Sequence, residues 1–295
     1  MIQGPSQERG GALGFGQMTT QDDPSPMLTR DTPGAACIII PARHDSTRYP
    51  GKPLVPLTGA HGTRRSLLER VVIAARAAAE VARISGIHVA TDDRRIAAEA
   101  GRLGASVIMT DSTCRNGTER VAQAITRAGI TDDIIVNLQG DAPLTPPAFV
   151  AALVTAMRAD PARQVATPVL RCSPEALENF LADRRAGRVG ATTVVSDRYG
   201  QAMYFSKEVI PFTGGQVTGD VPVFHHVGLY AYRRTALAAY TATGPTPLEE
   251  IEGLEQLRFL ENGQKIAAIE VEARGASFWE LNNPSDVPLI EGYLA

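Results

Sequence analysis

A Rossmann-like α/β fold, with a mainly parallel sheet, flanking helices and a mixed or antiparallel second half, is what this sequence predicts. Three observations carry the prediction. From Ala35 onward, short apolar or β-branched runs alternate with longer helical stretches, the pattern of parallel strands joined by crossover helices. Each early strand runs into a polar loop: PARHDSTRYPGK at 41–52, TDD at 91–93, TDSTCRNG at 110–117 and QGD at 139–141. In open parallel sheets such loops share one edge, and ligands bind there. After residue 158 the regular alternation is lost.

The elements follow in order. Residues 1–34 are rich in Gly, Gln, Ser, Asp, Thr and Pro without periodicity; they bury too little apolar surface to offset ordering entropy, which predicts a disordered tail. Met18 and Met27 lie within it as alternative starts. AACIII at 35–40 reads as a fully buried strand, and the Ala-rich stretch 66–84 as a helix capped by Ser66. Strand 86–91, helix 94–103, strand 105–109, helix 118–128, strand 133–138 and helix 147–158 continue the alternation. Strands are expected near 165–171, 190–196, 202–206 and 226–232. A long helix over 248–262, a strand over 266–272 and a last helix opened by Pro284 complete the chain.

Composition narrows the function. With 44% hydrophobic and 21% charged residues the chain is globular rather than disordered or fibrous. A net charge of -3 provides no general field for nucleic acid or an anionic membrane. Cys37, Cys114 and Cys172 are scattered, without metal-ligand spacing, which suits a reducing compartment. The sequence lacks an apolar run long enough to span a membrane and the basic-then-apolar order of a signal peptide, so a cytoplasmic location is expected.

Chemistry concentrates in IIIPARHDSTRYPGKP at 38–53. A buried strand feeds a loop with three cations, Arg43, Arg48 and Lys52, and with Ser46, Thr47 and Gly51 for close backbone approach. Arg forks and a Lys point charge together suit a triphosphate; a solvated basic turn is the plain alternative. It is not a Walker loop, because G-x-x-x-x-G-K-[ST] is absent, and a dehydrogenase would need G-x-G-x-x-G after the first strand. Asp141 follows a buried strand in QGD. It is a hard carboxylate suited to Mg²⁺ beside phosphates, or else a residue that closes a turn with Gly140. Thr118 to Arg120 read as a helix start with Thr118 as cap.

The PARxxSTRxPGKPL pattern after an apolar strand resembles the CMP-Kdo synthetase family (3-deoxy-manno-octulosonate cytidylyltransferases). HVATDD (88–93), NGTERV (116–121), IVNLQGDAP (135–143), AMYFSKEVIP (202–211), HHVGLYAYRR (225–234) and PLEEIEGLEQLRFL (247–260) extend the resemblance over about 36–290. It implies a nucleotidyltransferase-type fold in one domain, with a nucleotide-binding half at 35–145 and an acceptor and dimerisation half at 146–295. The implied reaction is Mg²⁺-dependent transfer of CMP from CTP to a small acidic acceptor, with Kdo or a related 2-keto-3-deoxy sugar acid foremost, by a homodimer. Position by position, it assigns catalysis to Arg43, Arg48, Lys52 and Asp141. It assigns CTP contacts to Ala42, Arg43, Ser46, Arg48, Lys52, Asp92, Asn116, Gly117, Thr118 and Arg120. Acceptor contacts fall on Gln139, Lys207, His226, Tyr230, Glu255 and Gln256, and metal ligation on Asp141 and Asn282. Without the resemblance, His226 reads as a strand histidine with its hydrogen bonds satisfied and Glu255 as an exposed helix charge.

Several positions depart from the family pattern. Its GVDTPEDL is ELNNPSDV (280–287) here, which puts the neutral Asn282 where a second metal-binding Asp stands, with Glu280 nearby to compensate. The Lys of its AVKVV is Thr193, its QGDEP has Ala142, its RHLGIY has His225, and a GKP turn is replaced by GTRRS at 62–66. These changes leave open a different acceptor, such as a small phosphonate, and a nucleotide-binding regulator without catalysis.

Overall fold

The computed structural model describes residues 34–46, 48–188, 191–215, 221–273, 275 and 278–295. The tail expected over 1–34 thus lies outside the described residues except for Gly34, and Thr47 lies outside them too. The first half alternates as the sequence predicts. β1 (Ala36–Ala42) is buried along its whole length. A short 3-10 turn at 52–54 leads to a hairpin of β2 (Pro56–Thr58) and β3 (Arg64–Ser66), which occupies the segment that reads GTRRS. Then come α1 (Leu67–Ala82), β4 (Gly86–Thr91), α2 (Arg94–Arg102), β5 (Ser106–Met109), α3 (Gly117–Arg127), β6 (Ile134–Leu138) and α4 (Pro147–Ala159). Ser66 caps α1 as expected, its Oγ accepting from Glu69 N at 3.0 Å. β1 lies between β4 and β6, both parallel to it, and β5 extends the sheet beyond β4.

β1 reads as an unbroken apolar run because it is covered on both faces. Ile38 and Ile40 join one core with Val71, Val72, Leu153 and Val154 of α1 and α4. Cys37 and Ile39 join the other with Val121, Ile125, Leu237 and Tyr240.

The second half contains β7 (Val165–Arg171), α5 (Pro174–Arg185), β8 (Thr192–Ser196), β9 (Ala202–Ser206), β10 (Phe224–His226), β11 (Leu229–Arg233), α6 (Arg234–Ala242), α7 (Pro247–Glu252), α8 (Leu257–Glu261), β12 (Ile266–Glu270) and α9 (Val287–Leu294). The strand expected over 226–232 is two strands. β10 and β11 are collinear halves broken at Val227 and Gly228, and β7 pairs antiparallel with both. Their other edge is shared: β6 pairs with the β11 half and β8 with the β10 half. The sheet therefore forks at Gly228, where an added Cβ would lie 2.6 Å from Glu280 Oε1.

Two further expectations are corrected. The helix expected over 248–262 is α7 and α8, because Gly253 takes a left-handed conformation (φ 62°) and ends α7 there. α5 and α6 were not expected. α5 buries Leu177 alone among its described residues, so its sequence carries little apolar periodicity.

Candidate active site

Three of the four loops line one cavity, and the TDD loop stands behind it. Beyond the carboxyl ends of β1, β5 and β6 lies a cavity of about 290 Å³. The first loop contributes Pro41, Ala42, Arg43, Ser46, Arg48, Lys52 and Pro53, the start of α3 contributes Arg115, Asn116, Gly117 and Arg120, and the β6 loop contributes Gln139, Gly140 and Asp141. The loop after β1 can turn back because Gly51 adopts φ 72°, with its N–H donating to His44 O at 2.9 Å. Gly140 is packed against that loop. A Cβ there would lie 2.5 Å from the Pro41 carbonyl oxygen, so only glycine lets the two loops touch.

Charge is organised around Asp141. Lys52 Nζ donates to its Oδ2 at 2.6 Å, with both side chains largely sheltered. The segment before α9 closes the same corner, for Leu281 N donates to Asp141 O at 2.8 Å. Arg48 Nη2 donates to Asn282 Oδ1 at 3.0 Å, and Asp286 accepts from the backbone N–H groups of Asn282 and Asn283. Burial pushes the Glu280 carboxyl up to about 7, with the Asp141 charge adding to the rise and Lys52 opposing it.

On the opposite wall Arg120 is buried, held by Asp92 at 3.1 Å and by Thr110 Oγ1 at 2.5 Å. Asp92 therefore reaches the cavity through Arg120. The cap of α3 is Asn116, not Thr118: Asn116 Oδ1 accepts from Glu119 N at 2.8 Å, and its amide donates to Tyr240 Oη. Thr118 instead points inward to Tyr232 Oη at 2.9 Å, while its N–H donates to Glu255 Oε2 at 3.2 Å. Burial raises the Glu255 carboxyl to about 7, so it is a sheltered group rather than the exposed charge its helix position suggests. Tyr230 donates to Gln256 Oε1 at 3.1 Å, and the buried Gln256 Nε2 finds no hydrogen-bond partner among the described residues.

His226 does not line the cavity. It is buried between the Phe205 and Tyr230 rings, its Nε2 pairs with Thr167 Oγ1 at 3.0 Å, and burial lowers it to about 3, so it stays neutral. Lys207, just past the end of β9, does not line the cavity either; its N–H is tied to Glu252 and its ammonium lies against Gly253. Thr193 and His225, the two departures from the family pattern in β8 and β10, are paired across the strands; Thr193 Oγ1 donates to Glu208 O and His225 packs edge-on to Phe180. Arg115 was missed by sequence reasoning. It precedes the cap directly and a lone Arg in a polar loop carries no signal of its own.

A site with cations on one loop, a buried Arg opposite and a carboxylate between them suits a nucleoside triphosphate. Residues 37–266 match the family model described as cytidylyltransferase. The chain is 44% identical over 257 residues to the 3-deoxy-manno-octulosonate cytidylyltransferase of Maricaulis maris, covering 87% of this chain and 96% of that one. The chain belongs to the cytidylyltransferase family. This cytidylyltransferase is also 36% identical to the 8-amino-3,8-dideoxy-manno-octulosonate cytidylyltransferase of Shewanella woodyi, over 88% of this chain and 98% of that relative. Among solved structures, CMP:2-keto-3-deoxy-manno-octonic acid synthetase complexed with CTP superposes with a TM-score of 0.73 at 32% identity, covering 88% of this chain and 97% of the other. The predicted fold class and the enzyme class, a nucleotidyltransferase, both stand. Among the described residues no helix is long and apolar enough to cross a membrane, and no group of three or more His, Cys, Asp or Glu has metal-holding geometry.

Asp141 with Asn282 and Glu280 nevertheless forms an all-oxygen donor set beside a triphosphate-sized cavity, the chemistry a hard cation such as Mg²⁺ takes. The residues present fit that ion, which Asp141 would hold.

Proposed function

We propose that this cytidylyltransferase transfers CMP from CTP to a 2-keto-3-deoxy sugar acid, Kdo in the first place, with release of pyrophosphate. The observation that carries the reading is the cation set Arg43, Arg48, Lys52 and Arg120 around one cavity, with Asp141 in its wall beside Lys52. Arg43 and Arg48 hold phosphate oxygens, and Ser46 with the loop backbone brings the chain close to them. Lys52 leaves Asp141 for the phosphates when the nucleotide enters, and meets the charge that develops on the departing pyrophosphate. Asn116 and Gly117 face the ribose and base, while Thr118, turned inward to Tyr232, fixes the start of α3 behind them. In the reaction an acceptor hydroxyl oxygen bonds to the α-phosphorus while the bond from that phosphorus to the β-phosphate oxygen breaks; the hydroxyl proton leaves to solvent and the electron pair departs with pyrophosphate. Mg²⁺ held by Asp141 supplies Lewis-acid polarisation of the phosphoryl oxygens when bound.

The acceptor occupies the floor between Gln139, Tyr230, Glu255 and Gln256. The orphaned Gln256 donor supports this, since a buried N–H calls for an acceptor oxygen. A single domain over 35–295, a homodimer and a cytoplasmic setting, where CTP is made and used, belong to the same proposal. The exposed apolar side chains of Met203 on β9, Phe212 and Ile251 support a subunit contact in the second half.

The test is pyrophosphate release from CTP and Mg²⁺ with Kdo, 8-amino-Kdo, other 2-keto acids and small phosphonates in turn. Kdo is expected to give the highest kcat/KM. Release with a phosphonate alone would reassign the acceptor, and CTP binding without turnover on any acceptor would remove the enzymatic reading. Lys52→Met is expected to lower kcat by about 10²- to 10³-fold, the range for loss of one charge-stabilising group, with urea midpoints unchanged.

A further inference from the structure

The cytidylyltransferase reading leaves a charge deficit at its metal site, and the segment 280–282 removes it. Asp141 carries one negative charge, which Lys52 already meets. Asn282, the second ligand that the family resemblance assigned, is neutral, and its oxygen is engaged by Arg48 at 3.0 Å. Glu280 lies two residues earlier. Leu281 between them is buried in the core and bonded through its N–H to the Asp141 carbonyl, which holds this segment against the Asp141 turn. The Glu280 carboxylate rests against Gly228 at the fork of the sheet, where even a methyl group would be 2.6 Å from its Oε1. It accepts a hydrogen bond from the Asn282 side chain and has Asp141, Lys52 and Arg48 as its charged neighbours.

Asn282 is therefore a neutral bridge. Its oxygen holds Arg48 and its amide N–H holds Glu280. An aspartate at that position would keep the Arg48 contact but would set a third carboxylate against Glu280 and Asp141. The amide at 282 and the acid at 280 make sense together, and neither does alone.

We propose that Glu280, resting on the cytidylyltransferase reading above, supplies the second carboxylate to the Mg²⁺ anchored by Asp141, and that Asn282 is a positioning residue for Glu280 and Arg48. The metal-binding charge has moved two residues along the chain, at constant total charge.

The test measures metal binding apart from turnover. Mn²⁺ is titrated into the full chain with CTP and no acceptor, free Mn²⁺ being read by electron paramagnetic resonance. The fluorescence of Trp279, the one tryptophan of the chain and the neighbour of Glu280, provides a second signal. CTP binding without divalent ions is measured in parallel by calorimetry. E280Q is expected to weaken Mn²⁺ binding by about tenfold or more, as loss of a ligand charge does, while metal-free CTP affinity is kept or improved. The exchange variant E280Q/N282D is expected to regain most of the loss, which a merely structural role of Glu280 would not allow. Should E280Q prove unfolded by circular dichroism, E280D, with charge kept and reach shortened, is expected to show intermediate weakening. An Mn²⁺ affinity within about twofold of wild type in either single variant, or no recovery in the exchange variant, overturns the proposal. Failure of the wild-type chain to bind CTP with Mn²⁺ would instead remove the underlying reading, and the two failures are told apart by that control.

Discussion

Glu255 illustrates how an ionisable side chain takes its character from surroundings that lie far away in sequence. Its carboxyl is desolvated and accepts from the first turn of α3, and desolvation wins, raising it from the ordinary 4.5 to about 7. The folded chain then binds a proton more tightly than the unfolded one. Any stability linked to Glu255 is complete below about pH 4.5 and is lost as pH rises to 7, to a total of roughly 3 kcal/mol at most. Urea unfolding of the protein without ligand at pH 5 and pH 8 is expected to show a smaller drop for Glu255→Gln than for wild type; equal drops would contradict the assignment. Nothing in LEEIEGLEQ signals this, because the carboxylate is buried by α3, more than a hundred residues upstream. Arg43, Arg48, Lys52 and Asp141, by contrast, were legible because a buried strand immediately before a polar loop fixes where their side chains must lie. The same distinction explains the error at Thr118, whose hydroxyl could cap a helix by local rules but is taken by Tyr232.

The turn after β6 and the loop after β1 meet at Gly140, and here a local sequence signal has a tertiary cause. Gly140→Ala places a Cβ 2.5 Å from the Pro41 carbonyl oxygen, an overlap with backbone that only movement of a loop can relieve. A loss of about 1–3 kcal/mol in unfolding free energy is expected, together with weaker CTP binding by calorimetry, because the displaced loop carries Arg43 and Arg48. Of the secondary structure, β1, α1, β4, α2 and β6 were readable, since an unbroken apolar run, a helical period or a cap is carried within each segment itself. The break between β10 and β11 was not, because Val227 and Gly228 look like strand interior until Glu280 is set against them. α7 and α8 read as one helix because LEEIEGLEQLRFLEN is polar and helix-favouring throughout, and a single glycine inside such a pattern does not announce a left-handed turn.

Arg258 ties the two halves of the molecule together. Its guanidinium is 1% exposed, grips both Glu249 oxygens at 2.6 Å and Glu119 at 3.2 Å, and stacks over the Tyr240 ring. α8, α7 and α3 are thereby joined through one cation. Arg258→Met leaves the sheltered Glu249 without its cation and Glu119 with Arg115 alone, and a loss of about 3–5 kcal/mol in urea unfolding is expected; a change below about 1 kcal/mol would mean that the network contributes nothing to cohesion. The hydrogen bond from Leu281 to the Asp141 carbonyl acts over a comparable reach along the chain, and it has a consequence in time as well as in space. On the ribosome the phosphate-binding loops emerge early, but the corner that closes over them is completed by residues translated well over a hundred codons later. A growing polypeptide therefore carries its phosphate-binding loops before the segment that packs against them exists, so this corner can close only after the chain has left the ribosome.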